Sequence, residues 1–294
     1  MRGKTVVITG ATSGIGLEAA ASLAAQGARA VLVGRNPAKT AQAVETVRKR
    51  SGSGTVESAL CDFSSQASVR KLAAELRGRC ERIHVLINNA GGVYPRRTLT
   101  ADNIESTFAV NHLGYFLLTN LLLDVLRASA PARIVNVASV AHYRGTMDFD
   151  DLGFERGYQI MKAYSRSKLG NVLFTLELAK RLAGTGVTVN ALHPGAVATN
   201  MWSSVPALAR PILAVAKLFM LSPRAGGQHV VYLASSPEVE GTTGSYFEND
   251  RVKTPSRLAM DDAVAARLWS ESARMVSLVD SAERLATSGL SSRV

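Results

Sequence analysis

Short runs of β-branched and apolar residues recur along the chain, separated by longer stretches in which Ala and Leu return with helical spacing. Thr5–Thr9, Arg29–Val33, Thr55–Leu60, Ile83–Ile87, Arg133–Ala138 and Val187–Leu192 read as strands. Between them the spacing predicts helices near 15–26, 37–50, 66–78, 102–128 and 163–183. A seventh strand is expected at Gly244–Phe247 and a closing helix near 261–283. The strand candidates show little alternation of apolar and polar residues, as expected where both faces of a sheet are covered. The alternation of strand and helix therefore predicts an α/β, doubly wound architecture: a mostly parallel, seven-stranded sheet flanked by helices.

Composition agrees with a packed core. Of 294 residues, 47% are hydrophobic and 19% charged, which excludes a disordered or collagen-like chain. The net charge is +11, yet tight basic clusters such as Arg48-Lys49-Arg50 and Arg96-Arg97 are short, and neither of these is interleaved with aromatics. A cationic solvated surface is expected, and no nucleic-acid partner. Cys61 and Cys80 cannot form a disulfide framework and lack metal-site spacing, which points to a reducing, cytoplasmic setting. No signal peptide opens the sequence. The longest lipophilic stretch, Trp202 to Leu221, is interrupted by Pro206, Arg210, Pro211 and Lys217, so no transmembrane segment is expected.

Chemistry enters at the end of the first strand. Thr9-Gly10-Ala11-Thr12-Ser13-Gly14-Ile15-Gly16 lies between that strand and the first helix. Glycines at 10, 14 and 16 let the backbone turn tightly and approach a pyrophosphate, and the helix offers that anion its free N–H groups and positive end. In this position the triad predicts a Rossmann dinucleotide site. At the end of the second strand, where a carboxylate usually accepts from the ribose 2′-OH of NAD, the chain has Gly34, Arg35 and Asn36. Arg35 can pair with a 2′-phosphate, which favours NADP(H); its other reading is a cap on the strand surface. Asp62, after the third strand, reads either as a contact to the adenine edge or as a turn residue.

With these motifs in place, the sequence resembles a short-chain dehydrogenase/reductase. The resemblance rests on Gly10-x3-Gly14-x-Gly16, Asn88-Asn89-Ala90-Gly91, Asn111, Ser139, Tyr164-x3-Lys168 and His193-Pro194-Gly195, all in family order. Val140-Ala141-His142, Gly145, Phe149-Asp150-Asp151-Leu152, the run Ala163 to Asn171 and Gly244-Ser245-Tyr246-Phe247 resemble its retinol dehydrogenase-like branch. Ser139 and Tyr164 stand 25 positions apart, a long separation typical of that branch. The resemblance implies one family domain over 1–287, with a cofactor half to about 138, a catalytic and substrate half over 139–287, and a flexible tail at 288–294. It implies work on lipophilic alcohols, aldehydes and ketones with NADP(H). The sequence departs from many microsomal members in showing no N-terminal membrane anchor.

The residue types suit that reaction. Hydride delivery to a carbonyl leaves an alkoxide, so a proton donor must stand beside the oxygen. Tyr164 and Lys168, at i and i+4, share a helix face, and the ammonium is expected to depress a phenol pKa that is ordinarily about 10. Ser139, at the carboxyl end of a strand, can donate to the substrate oxygen; alone it also reads as a turn serine. Asn111 breaks a helical pattern; the resemblance implies that it holds a water in a proton relay, and a buried structural amide is the other reading. The resemblance further implies that Lys168 binds the nicotinamide ribose. It extends the cofactor set through Gly10, Ser13, Gly14, Ile15, Gly16, Arg35, Asn36, Asp62, Phe63, Asn89, Ala90, Gly91, Tyr164, Lys168, Pro194, Gly195, Val197 and Thr199.

The substrate side carries less information. Residues 140–160 and 196–222 fall where the family builds its substrate pocket, and 202–221 reads as an apolar lid, a surface helix or a membrane contact. His112, His142 and His193 form no metal set, so no metal is expected. The expected activity is NADP(H)-dependent interconversion of a lipophilic alcohol with its aldehyde or ketone, in the direction of reduction. The alternatives are a secondary-metabolite or steroid ketoreductase, or a dinucleotide-binding regulator without turnover. A homodimer or homotetramer is the default assembly.

Overall fold

The computed structural model describes residues 1–195 and 222–278. In chain order the principal elements are β1 (Thr5–Thr9), α1 (Gly14–Ala25), β2 (Arg29–Gly34), α2 (Pro37–Ser51), β3 (Val56–Leu60), α3 (Gln66–Arg79) and β4 (Val85–Asn88). The short helix α4 (Ser106–Phe108), a π-helical turn (Ala109–Leu113), α5 (Gly114–Leu121) and α6 (Leu123–Ala128) follow. The second half holds β5 (Ala132–Val137), α7 (Ile160–Arg181), β6 (Val187–His193), α8 (Pro223–Ser235), β7 (Ser245–Glu248), β8 (Arg251–Lys253) and α9 (Asp262–Met275).

The strands form one sheet in the order β3-β2-β1-β4-β5-β6-β7-β8, parallel throughout except for the last pair. β1 pairs with β2 on one side and β4 on the other, with Ile8 opposite Leu32 and Ile87. The strand order reverses at that β1/β4 junction, so the crevice at the carboxyl ends of these strands is where a ligand is expected. All five residues of β1 are buried. Val7 packs with α3, α5, α7 and α9 on one face, while Val6 and Ile8 pack with α1, α2 and α8 on the other. Two covered faces explain the unbroken apolar runs.

Three differences from the sequence expectation have local causes. Among the described residues the sheet has eight strands rather than seven, because Asn249 and Asp250 take positive φ values of 49° and 60° and turn the chain tightly into β8. A two-residue loop of that kind is a hairpin turn, but the three residues of β8 are all exposed and leave no apolar signature. The helix expected over 102–128 is instead a broken series, with the π-helical turn at its centre and Asn111 within that turn. Helix α8 had no counterpart in the hydrophobic pattern, because Gly226-Gly227 lies in its interior and weakens helix propensity. The glycine is required there: a Cβ on Gly227 would stand 2.7 Å from Cβ of Glu18 in α1. Ser222 caps α8 by accepting from Ala225 N–H, with Pro223 in the first turn.

Candidate active site

The glycine turn sits at the carboxyl end of β1 and is locked to the end of β4. Asn89 donates from Nδ2 to the carbonyls of Thr9 (2.9 Å) and Gly10 (3.1 Å), and the Thr9 hydroxyl accepts from the N–H groups of Asn89 and Ala90. Space is so tight that a Cβ on Gly16 would lie 2.5 Å from the Gly10 carbonyl and 2.6 Å from Asn89 Nδ2. A Cβ on Gly10 would lie 2.8 Å from Ala90 Cα. Ser13 precedes α1 in an extended conformation, and its side chain makes no capping hydrogen bond. The first-turn N–H groups of α1 are thus left for an anion, which the helix dipole also favours.

The residues expected around the adenosine end divide in two. Arg35 is exposed, directly after β2, with no acidic residue adjacent in sequence. Asn36 caps α2 by accepting from Lys39 N–H at 3.0 Å, so its oxygen is committed to the fold. Asp62 accepts from both the N–H (2.9 Å) and the hydroxyl (2.7 Å) of Ser64 through one oxygen, the turn role that the sequence left open. Phe63, also expected among the cofactor contacts, turns its side chain inward. Its ring belongs to the core and packs on Gly114, where an added Cβ would meet Phe63 Cδ1 at 2.6 Å.

Ser139, Tyr164 and Lys168 converge at the carboxyl ends of β4, β5 and β6. They line one cavity of about 600 Å³ together with Ile15, Asn89, Gly91, His193, Pro194 and Gly195. Ser139 starts a 3-10 turn (Val140–Arg144), accepting from Ala141 N–H at 3.2 Å. Its carbonyl accepts from His142 Nδ1–H at 2.8 Å, while His142 Nε2 accepts from Ser256 N–H at 3.2 Å. That pair of bonds holds fully buried His142 in one neutral tautomer, and burial lowers its pKa. Sequence reasoning gave His142 no such positioning role; its partners lie 3 and 114 residues away.

Lys168 lies on α7, four residues after Tyr164, and is 4% exposed. Its ammonium donates to the Val137 carbonyl at 2.9 Å and stands 5.7 Å and 5.9 Å from the ring centres of Tyr164 and Tyr115. Burial lowers its pKa from 10.5 to about 7. Burial likewise pushes the Tyr164 phenol up to about 12, opposed in part by a hydrogen bond with Ser139. The expected depression of the phenol by the ammonium is therefore absent here. Desolvation penalises both charged forms more than their separation allows each to favour the other.

Asn111 lies within the π-helical turn and is fully buried. Its Oδ1 accepts from Gly92 N–H (2.8 Å), and Nδ2 donates to the Gly92 carbonyl (2.9 Å) and the Ser167 hydroxyl (3.1 Å). The amide therefore ties the loop after β4 to α7, with both N–H donors used and one of the two oxygen lone pairs engaged. Behind it, Asn88 donates to Thr119 and to Asn136, which donates to Thr175, joining β4, β5 and α7 by buried polar bonds. Val197, Thr199 and the 202–221 stretch lie outside the described residues, as does the 288–294 tail.

A second cavity, of about 620 Å³, opens at the opposite end of the strands, beside Lys4, His84 and Arg133. Among the described residues no cluster of His, Cys, Asp or Glu could hold a metal ion, and no helix is long and apolar enough to cross a membrane.

A family model for short chain dehydrogenases matches residues 4–208. The chain is 45% identical to retinol dehydrogenase 14 of Mus musculus over 292 residues, covering 95% of this chain and 87% of that protein. Among solved structures it resembles an uncharacterised protein from Mycobacterium paratuberculosis, with TM-score 0.76, 35% identity and 94% of each chain covered. It also resembles the Pseudomonas aeruginosa RhlG/NADP active-site complex, with TM-score 0.68 and 25% identity, covering 90% of this chain and 97% of that one.

Proposed function

Since the chain belongs to the short chain dehydrogenase family, and within it is retinol dehydrogenase-like, it is an oxidoreductase of alcohols and carbonyls using a nicotinamide dinucleotide; we propose that it reduces lipophilic aldehydes or ketones with NADPH. One observation carries this reading: Tyr164, Lys168 and Ser139 line a single cleft that also includes Ile15 of the glycine turn and Pro194-Gly195 after β6.

The residues present fit a dinucleotide. The uncapped start of α1 suits the pyrophosphate, and buried Lys168 has one described acceptor for three N–H donors, which leaves donors for ribose hydroxyls. Arg35, exposed directly after β2, would pair with a 2′-phosphate, and the NADP complex of RhlG supports that reading over NAD. Gly10, Ser13, Gly14, Ile15, Gly16, Asn89, Ala90, Gly91, Pro194 and Gly195 would form the rest of the cradle.

When bound, the reduced cofactor supplies the hydride to the carbonyl carbon. Ser139 donates a hydrogen bond to the carbonyl oxygen and stabilises the negative charge that develops there. Tyr164 gives that oxygen its phenolic proton, so the alcohol forms and the phenol becomes a phenolate. A phenol with a pKa of about 12 holds its proton until the alkoxide, a stronger base than the phenolate, takes it. Asn111 holds the loop after β4 against α7 and so keeps the side through which Tyr164 is reprotonated in register. The test is cofactor oxidation with NADPH and NADH against medium-chain aldehydes, aromatic ketones, steroids and retinal, with Tyr164→Phe as control. Turnover that prefers NADPH and disappears in the variant supports the reading; full turnover by Tyr164→Phe refutes it.

A further inference from the structure

The 3-10 turn after β5 and the start of α7 wall a second, smaller cavity beside the cleft. It measures about 300 Å³, and its charged lining consists of Arg144, Asp148, Asp151, Arg156, Lys162 and Arg166. Arg144 lines both cavities, so the two adjoin through one guanidinium. Along α7 the side chains divide between them: Met161 and Ser165 line the cleft, while Lys162 and Arg166 line the annex.

Most of these charges are already committed. Arg166 stacks on the Phe154 ring at 3.7 Å and donates to the carbonyls of Thr146, Asp151 and Leu152. Asp151 accepts from the backbone N–H groups of Glu155 and Arg156, and Arg156 Nε stands 3.8 Å from it. Asp148 accepts from Asp150 N–H. Arg144 and Lys162 make no side-chain hydrogen bond or ion pair among the described residues. Among the described residues the lining carries four cations against two anions, and the cationic surplus rests on those two side chains.

We propose that Arg144 and Lys162 bind a carboxylate at the far end of an otherwise apolar carbonyl substrate, making the site selective for amphiphilic, singly charged substrates. A guanidinium fork matches a carboxylate, and the two acids already in the annex disfavour a more highly charged group such as a phosphate dianion. The exposed apolar residues Val140, Tyr143 and Met161 at the cleft suit the chain that connects the two ends. The proposal rests on the reading above that the cleft reduces carbonyls.

The test compares a medium-chain ω-carboxy aldehyde with its methyl ester, using NADPH. The wild-type enzyme should favour the acid by about tenfold in kcat/KM, mostly through KM, the size that a charge-assisted hydrogen bond carries. Arg144→Gln should erase most of that ratio, Arg144→Glu should reverse it, and added salt should shrink it in the wild type. Equal use of acid and ester by the wild type, or a preference that survives Arg144→Glu, overturns the proposal. If neither aldehyde is consumed, the carbonyl-reductase reading fails instead, and the annex is judged by calorimetric titration of the NADPH-loaded protein with a medium-chain α,ω-dicarboxylate. Binding that Arg144→Glu abolishes supports the annex; absence of binding, or binding unchanged by Arg144→Glu, refutes it.

Discussion

Lys168 should cost the empty protein stability that its function requires. Its ammonium is buried against the Val137 carbonyl and two tyrosine rings, with a pKa of about 7 against 10.5 for a free lysine. At about 1.36 kcal/mol per pH unit, that difference corresponds to about 5 kcal/mol of unfavourable burial of the charged form. The folded pKa lies below the unfolded one, so between pH 7 and 10.5 the unfolded chain holds a proton that the folded chain has released. Stability therefore rises with pH across this window; the cost is full below it and gone above it. Lys168→Met removes the charge and also one hydrogen bond worth about 1 kcal/mol. The variant should exceed the wild type by roughly 3–4 kcal/mol near pH 6, with the gap closing towards pH 10. Urea unfolding of both nucleotide-free proteins from about pH 6 to 10 measures this directly. The comparison cancels the other groups, including Tyr164, whose raised pKa draws stability down only as pH climbs from 10 towards 12. Parallel curves for the two proteins would refute the burial argument. Activity should be lost in the variant, setting function against stability at one side chain.

Three further outcomes are expected. Arg35→Ser should lower the ratio of kcat/KM for NADPH to that for NADH by about tenfold to a hundredfold, measured by steady-state kinetics, because a paired phosphate loses its guanidinium. Gly16→Ala should destabilise the fold by about 2 kcal/mol in chemical denaturation and weaken dinucleotide binding, because the new methyl falls 2.5 Å from the Gly10 carbonyl and 2.6 Å from Asn89 Nδ2. Asn136→Ala should cost about 2–3 kcal/mol in urea unfolding, since it removes the acceptor of Asn88 and the donor to Thr175 within the buried core.

The sequence by itself determined what depends on near neighbours. The alternation of apolar runs and amphipathic stretches, read against the chain's ability to cover both faces of a sheet, specifies parallel strands and flanking helices. A glycine turn between the first strand and first helix specifies an anion site, because its geometry spans only a few residues. Tyr164 and Lys168 must share a face wherever α7 is helical, and Ser139 must follow β5 wherever that strand ends. These relations hold before any long-range contact forms.

Tertiary structure decided everything that depends on distant partners. Phe63 and Asp62 are adjacent, yet the ring turns into the core because Gly114, 51 residues later, leaves room for it. Asn111 is a polar residue in a helical pattern, and only the approach of Gly92 and Ser167 turns it into a bridge across the site. Helix α8 carries two glycines that argue against a helix locally, and its contact with α1 requires one of them. Most of all, the sign of the pKa shifts at Tyr164 and Lys168 was not a property of their spacing. Spacing fixes which charges are neighbours, whereas desolvation depends on how completely β5, α5 and the rest of α7 exclude water around them.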